Sequence, residues 1–214
     1  GTNGGGICLN GNSNSLIDKV VIKNNSADTG GGLYSFNSNP VITNSVIQNN
    51  HSNNGAGVFL ELCSPNFENV SITDNNAISS GGGIYCGLTS YPALNHVTIS
   101  NNSASFAGGI LSTQNSQPIF SNSILWNDSP EEIVSHPDSI TIVYSNIEGG
   151  WQGAGNINQD PLFCMAEYGD YSLAENSPCL ESGEDGVNMG TFGIGCTTIN
   201  FPPSEFSLIS PENI

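Results

Sequence analysis

The groups able to do chemistry in this sequence are overwhelmingly acidic. Nineteen Asp and Glu stand against two lysines, Lys19 and Lys23, and no arginine, for a net charge of −17. Proton abstraction on an acidic polysaccharide needs a basic side chain held beside cation-binding acids. Lys19 and Lys23 lie four apart with Asp18 next to them, and no acid cluster is spaced to join them. A surface this acidic repels polyanionic substrates, nucleic acid and anionic membranes. Glycoside hydrolysis needs two carboxyls flanking one bond. Glu61, Glu68 and Asp74 come nearest to that, among neighbours that are mostly Asn, Ser and Thr. His51, His96 and His136 fall at unrelated positions, so no Ser-His-Asp set can be assembled. Gly81-Gly82-Gly83 lacks the lysine and helix of a phosphate loop. No catalytic set, cofactor or metal site is expected.

The six cysteines, Cys8, Cys63, Cys86, Cys164, Cys179 and Cys196, contain no CxxC pair, which argues against zinc. Cys164, Cys179 and Cys196 crowd the last third of the chain. At least one disulfide is expected there, with Cys164–Cys196 favoured, which implies an oxidising compartment. Cys8, Cys63 and Cys86 are expected to be partly free.

The elements that position these groups come from a repeat. Glycine clusters precede an apolar residue at Gly6-Ile7, Gly32-Leu33, Gly57-Val58, Gly83-Ile84 and Gly109-Ile110, about 26 residues apart. Ile22, Ile47, Ile72, Ile99 and Leu125 keep the same beat, as do Ile17, Ile42, Phe67, Leu94 and Phe120. The apolar runs are short, β-branched and bounded by Gly, Asn, Ser and Pro, which reads as strand and turn. The predicted fold class is all-β: a right-handed parallel β-helix with one coil per repeat. A leucine-rich repeat would need a leucine framework that is absent, and a propeller blade would be longer.

Stacked coils place equivalent residues in columns. Asn44, Asn69 and Asn122, with His96 replacing one member, form one expected asparagine ladder. Asn24, Asn49, Asp74, Asn101 and Asn127 form another at the next corner. Amides stacked this way can hydrogen-bond along the column, and Asn tolerates left-handed turns. The residue after each glycine–apolar landmark runs Cys8, Tyr34, Phe59, Tyr85 and Leu111. Strand alternation turns Tyr34, Phe59 and Tyr85 outward as an aromatic stripe, a candidate contact for sugar rings or another subunit. Asn24, Asn50, Asn69, Asn101 and Asn127 lie in Asn-x-Ser sequons, which the repeat itself generates.

Coils are expected over 1–148 and a loop-rich, disulfide-stapled C-terminal cap over 149–200. Residues 201–214 read as a linker or the start of a following domain, Phe206–Asn213 resembling the opening strand of a fibronectin- or immunoglobulin-like domain. The chain begins inside a repeat, without signal peptide, membrane span or capping helix over the first coil, and reads as a processed or incomplete product.

Ser123-Ile124-Leu125-Trp126-Asn127, Tyr144-Ser145-Asn146-Ile147-Glu148-Gly149-Gly150-Trp151, Asp160-Pro161-Leu162-Phe163, Gly169-Asp170-Tyr171-Ser172-Leu173 and Asn176-Ser177-Pro178-Cys179 together resemble secreted bacterial right-handed β-helix repeat proteins. These belong to the pectate-lyase-like superfamily, often with C-terminal sorting or anchoring domains. The resemblance implies an exported protein and no particular activity. The expected function is therefore structural or adhesive: an extracellular, protease-resistant rod that assembles end to end into a surface filament. Expected partners are copies of itself, other cell-surface components or extracellular glycans. The alternative is a carbohydrate-binding or polysaccharide-degrading β-helix.

Overall fold

The computed structural model describes residues 2–135 and 139–199. His136 and the 201–214 segment lie outside them. The described chain is a parallel β-solenoid of about seven turns, with two short 3-10 turns as its helical content.

One sheet stacks six parallel strands: Ile7–Asn10, Leu33–Phe36, Val58–Glu61, Ile84–Gly87, Ile110–Ser112 and Ile133–Ser135. Their register joins Ile7, Leu33, Val58, Ile84, Ile110 and Ile133 in one column. A nine-stranded sheet is built on Val41–Gln48, Asn66–Thr73 and Ala93–Ser100, flanked by shorter strands of the outer coils. A third, narrower face pairs His51–Asn54 with Asn76–Ser80 and continues as single bridges.

Two kinds of corner explain the composition. Lys19, Asn44, Asn69, His96, Asn122 and Tyr144 share a φ of 48–56°. Asn24, Asn49, Asp74, Asn101 and Asn127 do so at 54–61°. The left-handed region costs most residues about 1–2 kcal/mol, and Asn tolerates it best after glycine. The third glycine of each cluster has a different reason. A Cβ on Gly57 would lie 2.5 Å from the Gly83 carbonyl oxygen, so adjacent coils approach too closely there for a side chain.

The two columns of Ile, Leu and Phe are buried through the stack, with Ile47, Phe67, Ile72 and Phe120 fully enclosed. Ile140, Ile142 and Ile147 continue this core, and Trp151 packs against its end. Over the last coil, Tyr144 N–H donates to the Ala154 carbonyl (2.7 Å) and Asn156 Nδ2 to that of Ile142 (2.9 Å).

The rest of the C-terminal segment lies along the flank of the nine-stranded sheet. Leu173, Cys179 and Met189 form a second apolar cluster with Ile124. Thr191 and Thr98 exchange two hydrogen bonds of 2.9 Å, and Tyr171 Oη donates to Asp74 Oδ1 (3.0 Å). Phe163–Met165, Asp170–Ala174 and Ile194–Cys196 form a small sheet of their own. The Cys164–Cys196 disulfide staples its outer strands.

Candidate functional site

The aromatic stripe lies in register across the six-stranded sheet, Tyr34 beside Phe59 and Phe59 beside Tyr85. Ring centroids are 5.5 and 4.6 Å apart, with interplanar angles of 10° and 7°. Both faces of Phe59 are therefore occupied. Tyr34 and Phe59 are each only 7% exposed and Tyr85 is half-buried, which corrects the expectation of an open stripe. Parallel stacking at the inter-strand spacing covers each ring with the next. Burial, then the nearby Glu61 carboxyl, raises the hydroxyl pKa of Tyr34 and Tyr85.

The asparagine columns also need a correction. At the second corner, among the described residues, a side-chain chain runs only from Asp74 through Asn101 to Asn127. Asn24 and Asn49 are exposed and join no such chain among the described residues. At the first corner, Asn44 donates to Asp18 (2.9 Å) and Asn122 to Asn95 (3.1 Å), while Asn69 makes no amide bond to its neighbours among the described residues. The continuous amide ladder sits one residue later: Asn25, Asn50, Asn75, Asn102 and Asp128. A corner residue turns its side chain to water, and the next turns inward, where every polar atom needs a partner. Each Oδ1 from Asn50 to Asp128 accepts both the backbone N–H and the Nδ2 of the preceding coil, at 2.6–3.0 Å. The Nδ2 groups of Asn50, Asn75 and Asn102 donate a second time, to the carbonyls of Ile22, Ile47 and Ile72. The amide capacity of these three residues is thereby filled.

The ladder ends in acid. Asp128 is 7% exposed and Glu132 9%. Asp128 Oδ1 is the last acceptor of the ladder, and Asp128 N–H donates to Glu132 Oε1 (2.7 Å). Asp128 and Glu132 are thus buried neighbours, and the Asp128 charge adds to burial in raising Glu132. Burial is the chief cause that raises both pKa values. Glu148, at the surface, accepts from Asn127 N–H (2.7 Å) and closes the row of acids. These groups line a cavity of about 510 Å³ whose other walls include Pro130, Ile133 and Trp151. The signal that could have found this site is the Asn column 25, 50, 75, 102 changing to Asp at 128, just before Pro130-Glu131-Glu132.

Other candidates stay apart. Lys19 lies 3.9 Å from Asp18 with its side chain 78% exposed, a surface pair of little energetic consequence. His96 occupies a left-handed corner, its Nδ1 3.5 Å from Glu68. Asp74 accepts from Gln48, Asn101 and Tyr171. Glu61 and Glu68 belong to different sheets. Cys179, grouped by sequence with the disulfide pair, is a free buried thiol that accepts from Asn146 Nδ2 (3.1 Å), because it packs in the flank cluster away from the staple. Cys63 and Cys86 are free and buried, and desolvation pushes the Cys86 thiol up to about 12. Cys8 is free and exposed.

Residues 1–103, just under half the chain, match the family model of the right-handed β-helix region. The repeat region is a right-handed β-helix. Its ladders and glycine close approaches continue unbroken beyond residue 103 to the Asp128 rung. No curated protein and no solved structure matches the chain.

Proposed function

We propose that this protein is an extracellular structural or adhesive β-helix, secreted or held at a cell surface, whose rods assemble end to end. The observation behind this reading is that its polar and aromatic columns satisfy one another along the stack. Asn50, Asn75 and Asn102 are closed by neighbouring coils, and Phe59 is sandwiched between tyrosines. Such columns give stiffness along the axis and leave few convergent groups on the flanks. The Cys164–Cys196 bond suits an oxidising compartment, and two lysines in 214 residues leave few sites for trypsin-like proteases.

The carbohydrate-cleaving alternative needs paired carboxyls separated by about 5 Å or more. Among the described residues the buried acids are Asp128 and Glu132, tied together by the hydrogen bond from the Asp128 backbone N–H to Glu132 Oε1. A head-to-tail contact between rods does not close, so it grows as a fibre. Electron microscopy of purified native material tests the proposal. Regular filaments with an axial repeat near one rod length are expected; dispersed monomers at high concentration would remove the assembly reading.

A further inference from the structure

We propose that the cavity at the end of the amide ladder binds an organic cation, a lysine or arginine side chain presented by a partner, between the carboxyls of Asp128 and Glu132. The proposal goes beyond the structural reading and does not depend on it.

Two observations carry it. First, Asp128 and Glu132 line the cavity and are more than nine-tenths buried, yet Asp128 Oδ2 and Glu132 Oε2 receive no donor from any other described residue. Buried carboxylate oxygens are ordinarily matched by N–H or O–H groups. Second, the chain has almost nothing cationic with which to match them. Its basic residues are Lys19 and Lys23, both on the first coil, four coils from Asp128 and therefore roughly 19 Å away along the axis at the usual strand spacing. Neither lysine can supply the counter-charge at that distance.

The cavity suits an alkylammonium or guanidinium group on an apolar stem. Its acidic wall is Asp128, Glu132 and the rim carboxyl of Glu148, and Glu131 adds a fourth acid. Pro130, Ile133 and Trp151 can pack against the methylene stem, and an indole face attracts a cation. The floor is fixed. A Cβ at Gly109 would fall 2.8 Å from Asp128 Oδ2 and 2.3 Å from the Glu132 carbonyl oxygen, so the acids sit against bare backbone.

Binding should exchange a proton for the cation. Without a counter-ion two adjacent buried carboxylates cannot both ionise, so Glu132, raised by burial and then by the Asp128 charge, keeps its proton until a cation enters. When an N⁺–H group enters, the Glu132 O–H bond breaks, its proton leaves to solvent, and the guest donates to both carboxylates. No other bond changes. The groups governing this equilibrium are Asp128 and Glu132 themselves, Glu148 and Glu131 at the cavity, and Tyr171, whose pKa is raised by burial, then Asp74, with a lesser contribution from Asp128.

The test is calorimetric titration of the full chain with acetyl-lysine methylamide and acetyl-arginine methylamide, in two buffers of different ionisation enthalpy. Acetyl-norleucine methylamide, calcium chloride and a neutral cello-oligosaccharide serve as comparison probes. The cationic probes are expected to bind with a Kd on the order of 1 mM, to release about one proton per site, and to tighten as pH rises. Binding should also shift the Trp151 indole N–H resonance. Glu132→Gln keeps an acceptor for Asp128 N–H and is expected to abolish proton release and weaken binding at least tenfold. Asp128→Asn, which continues the ladder with an amide, should stay folded and lose binding likewise. Equal binding of the norleucine probe, no proton release, unchanged binding by both variants, or preference for calcium or the oligosaccharide would each overturn the proposal.

Discussion

The middle coils and the last coils are built from the same repeat, but they handle polar groups differently. Around Asn50 and Asn75 each buried amide is completed by the coils on either side. At Asp128 the column changes from amide to acid. The last rung accepts from Asn102 but has no amide to donate onward, and a second buried acid, Glu132, lies against it. A repeat can therefore conceal polar side chains cheaply only while there is a next copy to bond to. Where repetition stops, a buried group is left unmatched.

Four experiments test this contrast. The largest effect is expected in the shared core. Phe67 is fully enclosed in a middle coil, and Phe67→Ala should destabilise the whole solenoid by about 3–5 kcal/mol in denaturant unfolding. A loss below 1 kcal/mol would mean that the coils are loosely packed.

The flank comes next. The Cys164–Cys196 bond closes a loop across a sequence separation of 32, and on chain entropy its removal should cost about 3–4 kcal/mol. Cys164→Ser should loosen the flank strands selectively. In hydrogen exchange, amides of Asp170–Ala174 are expected to lose protection while those of Asn66–Thr73 keep theirs. Uniform loss would make the flank segment part of the solenoid's cooperative unit.

The columns themselves were legible in the sequence. Ile47, Phe67 and Ile72 could be placed inward because one beat repeats five times, and the left-handed corners at Asn49 and Asn69 follow from the tolerance of Asn for that turn. Which of two adjacent asparagines forms the ladder was not legible. Asn49-Asn50 and Asn101-Asn102 are identical pairs in the sequence, and only the inward turn after the corner distinguishes them. The aromatic stripe was legible as a column, but exposure depends on ring stacking between coils, which alternation does not report. Glu132 was hidden for a different reason: it lies in a loop that interrupts the beat, where no second copy exists for comparison, whereas Asp128 stands in the ladder column and could be read only once that column was known.

A smaller effect should appear in pH dependence. Burial raises the folded pKa of both Asp128 and Glu132. A raised acid contributes stability that is complete below its unfolded pKa of about 4 and is lost as pH rises through the folded value. From about pH 5 to about pH 9 the wild-type melting temperature should fall more steeply than that of Glu132→Gln, the difference isolating this pair from the general acidic surface. Parallel curves would show that the pair does not couple to folding.

The most direct test of the ladder account exchanges the two kinds of rung. Asn75→Asp puts a carboxylate in the middle of the column and removes the amide that donates to Ile47 and Asn102. Asp128→Asn puts an amide at the end, where the acceptor for Asn102 is kept. The measurement is the melting temperature of the two variants side by side at neutral pH. The account predicts that Asn75→Asp falls by about 10 °C or more, since each buried group left without a partner costs about 1–3 kcal/mol, while Asp128→Asn is unchanged or raised. Equal losses for the two would contradict it, because the middle and the end of the column would then be no different.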